Sequence, residues 1–311
     1  MEKPAPRTLI EAIRYFEDLD VATAFLAKMR WEDGPVCDRC GTVDNAYYLA
    51  KRRVWKCKNG KCSRQFSVKV GTIFEDSALG LDKWLPAVWL IANSKNGISS
   101  HELGRALGVT QKSAWFMLHR IRLAMQTGTF EKLTGIAEVD ETFIGGASTF
   151  MHAKQRTEKI TGTGGTDKTI VVGVLERGGQ VRAEVVPDRK AGTLMDFIRE
   201  NVEDHATVYT DSHKGYAPVR WNYEHGMTDH SLGEYVNGVI HTNGIENFWS
   251  ILKRSIKGTY ISIVPEHLIA YVDERAFAFN NRKDTDLGRF RAVLSEVANY
   301  RLTYAELTGK A

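Results

Sequence analysis

Four cysteines, Cys37, Cys40, Cys57 and Cys62, are all the cysteines of the 311-residue chain and fall within 26 residues. Their pattern is C-x2-C, sixteen residues, then C-x4-C. Each close pair aims two thiolates at one point, and the two pairs together complete a tetrahedral sulfur shell for Zn2+. Four thiolates leave no open coordination position, so a zinc held there is structural. The alternatives are two disulfides, which a cytoplasmic chain disfavours, or cysteines buried as small apolar groups. Gly41 follows the first pair and Gly60 sits inside the second, where tight turns call for a residue without Cβ.

A second chemistry is offered by three acids far apart in the chain: Asp140, Asp211 and Glu246. Asp140 lies in a strand-like run and Asp211 ends another. Glu246 lies one turn into the helical segment NGIENFWSILKR. Carboxylates on adjacent strands plus one on a packed helix can grip two Mg2+ ions about 4 Å apart, as phosphodiester cleavage or transfer requires. Each acid also has an ordinary reading. Alternation places Glu138 on the face of Asp140, Asp211 with Ser212 can form a turn, and Glu246 follows Asn243 at capping-box spacing. Lys253, two helical turns after Glu246, reaches the same cleft, and Arg254 and Lys257 extend a basic surface. Asn243 is the economical cap of this helix, and His241 is placed to bind DNA or orient a carboxylate. His213 and His230 are further, unranked candidates. Phe248, Trp249 and Leu252 read as core.

Basic residues form a third set. Residues 51–64 carry seven basic side chains and no acid, among them Lys51, Arg52, Arg53, Lys56 and Lys58 beside Trp55. Such a face on a zinc-held ribbon suits a phosphate backbone. Downstream, ISSHELGRALGVTQKSAWFMLHRI has a helix-turn-helix pattern. Leu103, Ala106 and Leu107 form one inner face, Gly108-Val109 the turn, Thr110 a hydroxyl cap, and Ala114, Leu118 and Ile121 the second inner face. Gln111, Lys112, His119 and Arg120 are then expected to project toward a major groove.

These residues need elements to hold them. The chain is 43% apolar and 26% charged, a globular balance that excludes a largely disordered or fibrous chain. No apolar run approaches a membrane span and no signal peptide is read, so a cytoplasmic protein without a membrane partner is expected. Residues 1–133 carry 21 basic and 14 acidic side chains, and residues 134–311 carry 21 and 24. A basic front half attached to a mildly acidic back half suggests a polyanion-binding module joined to something else. Hydrophobic spacing gives an N-terminal helical segment (1–30), the ribbon (31–75) and a three-helix DNA-binding segment (80–128), with Pro86 confined to a first turn and Gly128 as a stop. After residue 133 the order reads strand, strand, strand, helix, strand, an irregular stretch (212–241), then helix. Arg177-Gly178-Gly179 is a hairpin turn and 145–168 a mobile insertion. A helical tail (283–311) docks on the body or on a partner subunit. The fold class is multidomain α+β.

The order of ribbon, helix-turn-helix and carboxylate segment resembles bacterial insertion-sequence transposases of the ISXO2-like, or IS1595, group. The resemblance is carried by CDRC…CKNGKC, VDETFIGG (139–146), YTDSHKGY (209–216) and HTNGIENFWSILKR (241–254). It covers about residues 31–282. It implies an RNase H-like catalytic domain of the retroviral-integrase type over 134–282. It also implies a DDE triad on Asp140, Asp211 and Glu246, with Lys253 as the downstream basic residue. The expected activity is Mg2+-dependent cleavage of transposon ends at terminal inverted repeats and joining of the 3′-hydroxyl to target DNA, with Mn2+ able to substitute. The partners are double-stranded DNA and at least a second copy of the chain, in a nucleoid-associated setting. A DNA-binding regulator on an inactive scaffold and a nuclease without strand transfer are the alternatives.

Overall fold

The computed structural model describes residues 4–126, 131–145, 168–229, 236–298 and 300–309. The expected insertion therefore lies almost wholly outside the described residues, as do Gly128 and His230. The chain gathers into two compact units, residues 1–126 with 283–311, and residues 127–282. The C-terminal residues thus belong to the first unit.

In that unit, α1 (Leu9–Phe16) and α2 (Leu19–Arg30) are divided at Asp18, whose carboxylate accepts the Asp20 and Val21 amides and caps α2. The ribbon follows as three antiparallel strands in the order β1 (Ala46–Leu49), β2 (Val54–Cys57) and β3 (Gln65–Phe66). Helix α3 (Leu81–Asn93) is buried on nearly every side. Pro86 is its sixth residue, beyond the first turn to which the sequence reading confined it. Burial of Leu85, Pro86, Ala87 and Val88 offsets the ladder hydrogen bond that a proline cannot make. The C-terminal helix Asp286–Ser295 packs here, with Phe290 against Trp89 at 5.1 Å between ring centroids.

Helices α4 (Ser100–Leu107) and α5 (Gln111–Leu123) are joined by Gly108 at φ 66° and by Thr110, whose hydroxyl accepts the Ser113 amide at 3.1 Å. Two expectations are corrected. Ala106 is exposed, so Leu103, Gly104 and Leu107 form the buried face of α4. His119 and Arg120 are each 3% exposed and do not project outward. Helix α5 is packed on more than one side. The Arg120 guanidinium lies over the Trp84 and Phe116 rings and donates to the Glu75 carbonyl, while His119 packs against Trp115.

The second unit has a five-stranded sheet of β4 (Ala137–Ile144), β5 (Thr169–Glu176), β6 (Val181–Val186), β7 (Thr207–Asp211) and β8 (Glu224–Thr228). The order is β6-β5-β4-β7-β8. β4, β5 and β6 pair antiparallel, whereas β4–β7 and β7–β8 are parallel. Strand β8 falls in the stretch expected to be irregular; its sequence EHGMT has none of the β-branched alternation of its neighbours.

Helix α6 (Ala191–Asn201) covers one sheet face through Leu194, Phe197 and Ile198 against Val139, Val174 and Val208. Helices α7 (Asn243–Ser255) and α8 (Leu268–Asn280) cover the other through Phe248, Leu252 and Val272 against Val171, Leu175 and Val181. Because a strand alternates, Ala137 and Val139 serve the α6 core, leaving Glu138, Asp140 and Thr142 for the α7 side. No helix among the described residues is long and apolar enough to cross a membrane.

Candidate catalytic and metal centres

The ribbon brings Cys37, Cys40, Cys57 and Cys62 together with all four Sγ atoms within 4.8 Å of one another. Cys37–Cys62 and Cys40–Cys57 are each 3.7 Å apart, far beyond a disulfide bond. Tetrahedral Zn–S bonds of about 2.3 Å demand sulfur separations of about 3.8 Å, so the quartet fits a structural zinc. Gly41, at φ 67°, makes the turn of the first pair. Gly60 does not: the left-handed residue near the second pair is Ser63, at φ 47°. Trp31 packs edge-on against Trp55 at 5.0 Å and against Phe66 at 5.9 Å, a small apolar base for the site.

The basic residues of the ribbon divide. Lys51, Arg52 and Lys58 are exposed. Arg53 and Lys56 are half-buried, and Arg53 pairs with Asp20 at 2.5 Å. On α5, Gln111 and Lys112 remain exposed, with the Lys112 ammonium 4.4 Å over the Tyr304 ring.

In the second unit strand register sets the first two acids on neighbouring strands, close enough for the charge of Asp211 to act on Asp140. β4 pairs with β7 at Ala137↔Val208 and Glu138↔Tyr209. The same offset carries Asp140 to the level of Asp211, on neighbouring parallel strands. Helix α7 crosses this end of the sheet and brings Glu246. Asp140, Glu141, Glu246, Trp249 and Lys253 line a cavity of about 570 Å³ together with Arg254 and Lys257. Burial pushes the Asp140 carboxyl up to about 7, and the charges of Glu141, Asp211 and Glu246 push in the same direction. Burial lowers Lys253, while Asp140 acts to raise it. The three acids do not close as tightly as the cysteines. Among the described residues, the quartet is the group of three or more candidate ligand atoms lying within 4.8 Å of one another.

Each acid is held by named neighbours. Asp211 Oδ1 accepts the His213 amide at 3.0 Å, and Glu246 Oε1 accepts the Thr242 hydroxyl at 2.8 Å. Asp140 Oδ2 accepts the indole N–H of Trp249 at 3.0 Å. Trp249 is buried, as a core residue would be, but its polar edge serves the site. Gly173 makes this possible. It is the β5 partner of Asp140, and a Cβ there would lie 2.6 Å from the indole. A lone glycine inside the β-branched run KTIVVGVLE was the available signal of such a close approach. Glu141 accepts from Arg189 at 2.9 Å and from the buried Tyr216 hydroxyl at 2.7 Å.

The helix start departs from expectation. Asn243 is exposed and does not cap α7. The Gly244 and Ile245 amides instead donate to Glu138, 106 and 107 residues earlier. His241 Nδ1 stands 3.3 Å from this same Glu138 carboxylate.

Comparison with known proteins finds two matching families. The family described as ISXO2-like transposase domain matches residues 132–280, and the transposase zinc-ribbon domain of the same IS1595 type matches residues 18–65. A protein of Halobacterium salinarum, described as an uncharacterized protein in transposable element ISH50, is 28% identical over 245 residues. The alignment covers 75% of this chain and 81% of that protein. The chain thus carries an ISXO2-like transposase domain behind a transposase zinc-ribbon domain of the same IS1595 type.

Proposed function

We propose that this transposase binds the terminal inverted repeats of its element, cleaves the element ends and joins the freed 3′-hydroxyl to target DNA. One observation carries the reading: the β4–β7 register, continued two residues past its last pair, sets Asp140 beside Asp211, and burial raises the Asp140 carboxyl to about 7, with the charges of Glu141, Asp211 and Glu246 adding to the rise. The sheet order, three antiparallel strands continued on one side by two parallel ones with helices on both faces, supports an RNase H-like domain of the retroviral-integrase type. Helices α4 and α5, with their glycine turn and threonine cap, support a helix-turn-helix in which Gln111 and Lys112 meet DNA.

Asp140, Asp211 and Glu246 are hard oxygen donors of the kind that hold Mg2+ or Mn2+, and their mutual repulsion is what divalent cations relieve. When bound, two such ions supply activation of the attacking oxygen and stabilisation of the leaving one. The protein's own side chains do the rest. Trp249 fixes the Asp140 carboxylate by its indole N–H. Lys253, Arg254 and Lys257 line one wall with positive charge and hold the phosphate backbone in line. Lys51 and Lys58 add non-specific phosphate contacts from the ribbon. Synapsis of two ends calls for at least two copies, and the substrate places the protein with DNA in the cytoplasm.

The test is incubation of the protein with element-end DNA, a second duplex and Mg2+, reading cleaved and joined products together. Joined products support transposition. Cleavage without joining makes the protein a nuclease, and binding without cleavage makes it a regulator.

A further inference from the structure

We propose that Glu138 is a positioning residue that fixes Glu246 relative to Asp140. This inference rests on the catalytic reading above and deepens it. Glu138 precedes Asp140 by two residues on the same face of β4, and its side chain is 1% exposed. Its carboxylate accepts from Arg177 Nε at 2.7 Å, from the Gly244 amide at 2.7 Å and from the Ile245 amide at 3.2 Å. A buried carboxylate is costly unless it is fully partnered, and the first amides of a helix are suitable partners for negative charge. Arg177 then donates to the carbonyls of Val239 and His241, fastening the segment that leads into α7.

A cap needed for helix stability alone is ordinarily local. Here the N-cap Thr242 makes no side-chain cap bond, and its hydroxyl turns to Glu246 instead. The cap is delivered from the strand that carries Asp140, so one carboxylate joins the first acid's strand to the third acid's helix. Gly244 completes the joint, because a Cβ there would lie 2.7 Å from Glu138 Oε2 and 2.5 Å from Leu175 Cδ2. Glu246 follows two residues later, and its amide bonds the Thr242 carbonyl at 3.1 Å. A shift at this joint therefore moves the Glu246 side chain against Asp140.

The experiment compares the zinc-loaded full chain with E138Q, G244A, E246Q and the E138Q/E246Q double variant. Mn2+ affinity is measured by calorimetry and the Mg2+ dependence of end cleavage by titration, with circular dichroism and repeat binding as controls. E138Q is expected to weaken Mn2+ binding by about 10–100-fold, the usual cost of losing a group that orients a ligand. It should shift the Mg2+ dependence in parallel while leaving repeat binding within about twofold. G244A should act in the same direction, and E138Q should add nothing in the E246Q background. A lowered Tm with unchanged Mn2+ affinity, or an additive effect in that background, would make Glu138 merely structural and overturn the proposal. Wild-type protein that binds no Mn2+ and cleaves no DNA would overturn the catalytic reading together with it.

Discussion

The two candidate metal centres of this chain are built in opposite ways. The cysteine quartet is assembled by 26 consecutive residues, and its ligand atoms lie within 4.8 Å of one another. Its apolar base amounts to little more than Trp31, Trp55 and Phe66. The carboxylates come from positions 140, 211 and 246 and are placed by a sheet with a buried core on both faces. A site with little core beneath it must draw its folding energy from the metal. A site placed by a large core keeps its framework without the cations and bears an electrostatic cost instead, visible in the raised Asp140.

The largest expected effect sharpens that contrast. Cys57→Ser should release zinc and unfold the ribbon, since structural zinc supplies about 10–16 kcal/mol of apparent binding energy in small zinc domains. The sheet of the second unit should remain folded. Zinc analysis and far-UV circular dichroism measure both, and retained zinc would erase the difference between the centres.

The cost at Asp140 has a definite sign. Its pKa is about 7 in the folded chain against an ordinary 3.8, so the folded state binds this proton more tightly. Without divalent cations, the contribution of this group to stability should be greatest below about pH 4 and be lost as pH rises from there through about 7, about 4 kcal/mol in all. Asp140→Asn should flatten that fall and raise Tm at pH 8 while removing cleavage. Thermal melts across pH 4–8 decide it, and an unchanged profile would remove the electrostatic half of the comparison.

A smaller effect separates packing from recognition on α5. Arg120→Ala should cost about 2 kcal/mol of stability, because it deletes a buried stacked guanidinium and orphans the Glu75 carbonyl. Lys112→Ala should weaken repeat binding and leave Tm nearly unchanged. The smallest effects lie on the ribbon: Lys51→Ala and Lys58→Ala should each lower the slope of log K against log salt by about 1.

What could be read in the sequence follows the same division. The quartet was legible because its ligands and turns are local. The α4–α5 pair was legible because Gly108 and Thr110 are local punctuation. The burial of His119 and Arg120 is not legible, because a one-face pattern does not reveal that α5 packs on more than one side. The resemblance proposes the three acids through their motifs, but nothing in the sequence gives Glu138, Gly173 and Trp249 their parts. Those depend on a strand capping a helix 106 residues away and on a missing Cβ opposite Asp140. Strand β8 was missed because its place at the sheet edge beside β7 is set by tertiary pairing, not by β propensity.

The central claim is that three distant carboxylates act as one cation-dependent unit on DNA. It is tested most directly by assaying cleavage and joining of element-end DNA with Asp140→Asn, Asp211→Asn, Glu246→Gln and their pairwise combinations. The account predicts that each single variant loses at least about 10²–10³-fold in both steps, that repeat binding persists, and that double variants are scarcely worse than singles. Wild-type cleavage in any one single variant, or cleavage in excess chelator, would contradict it.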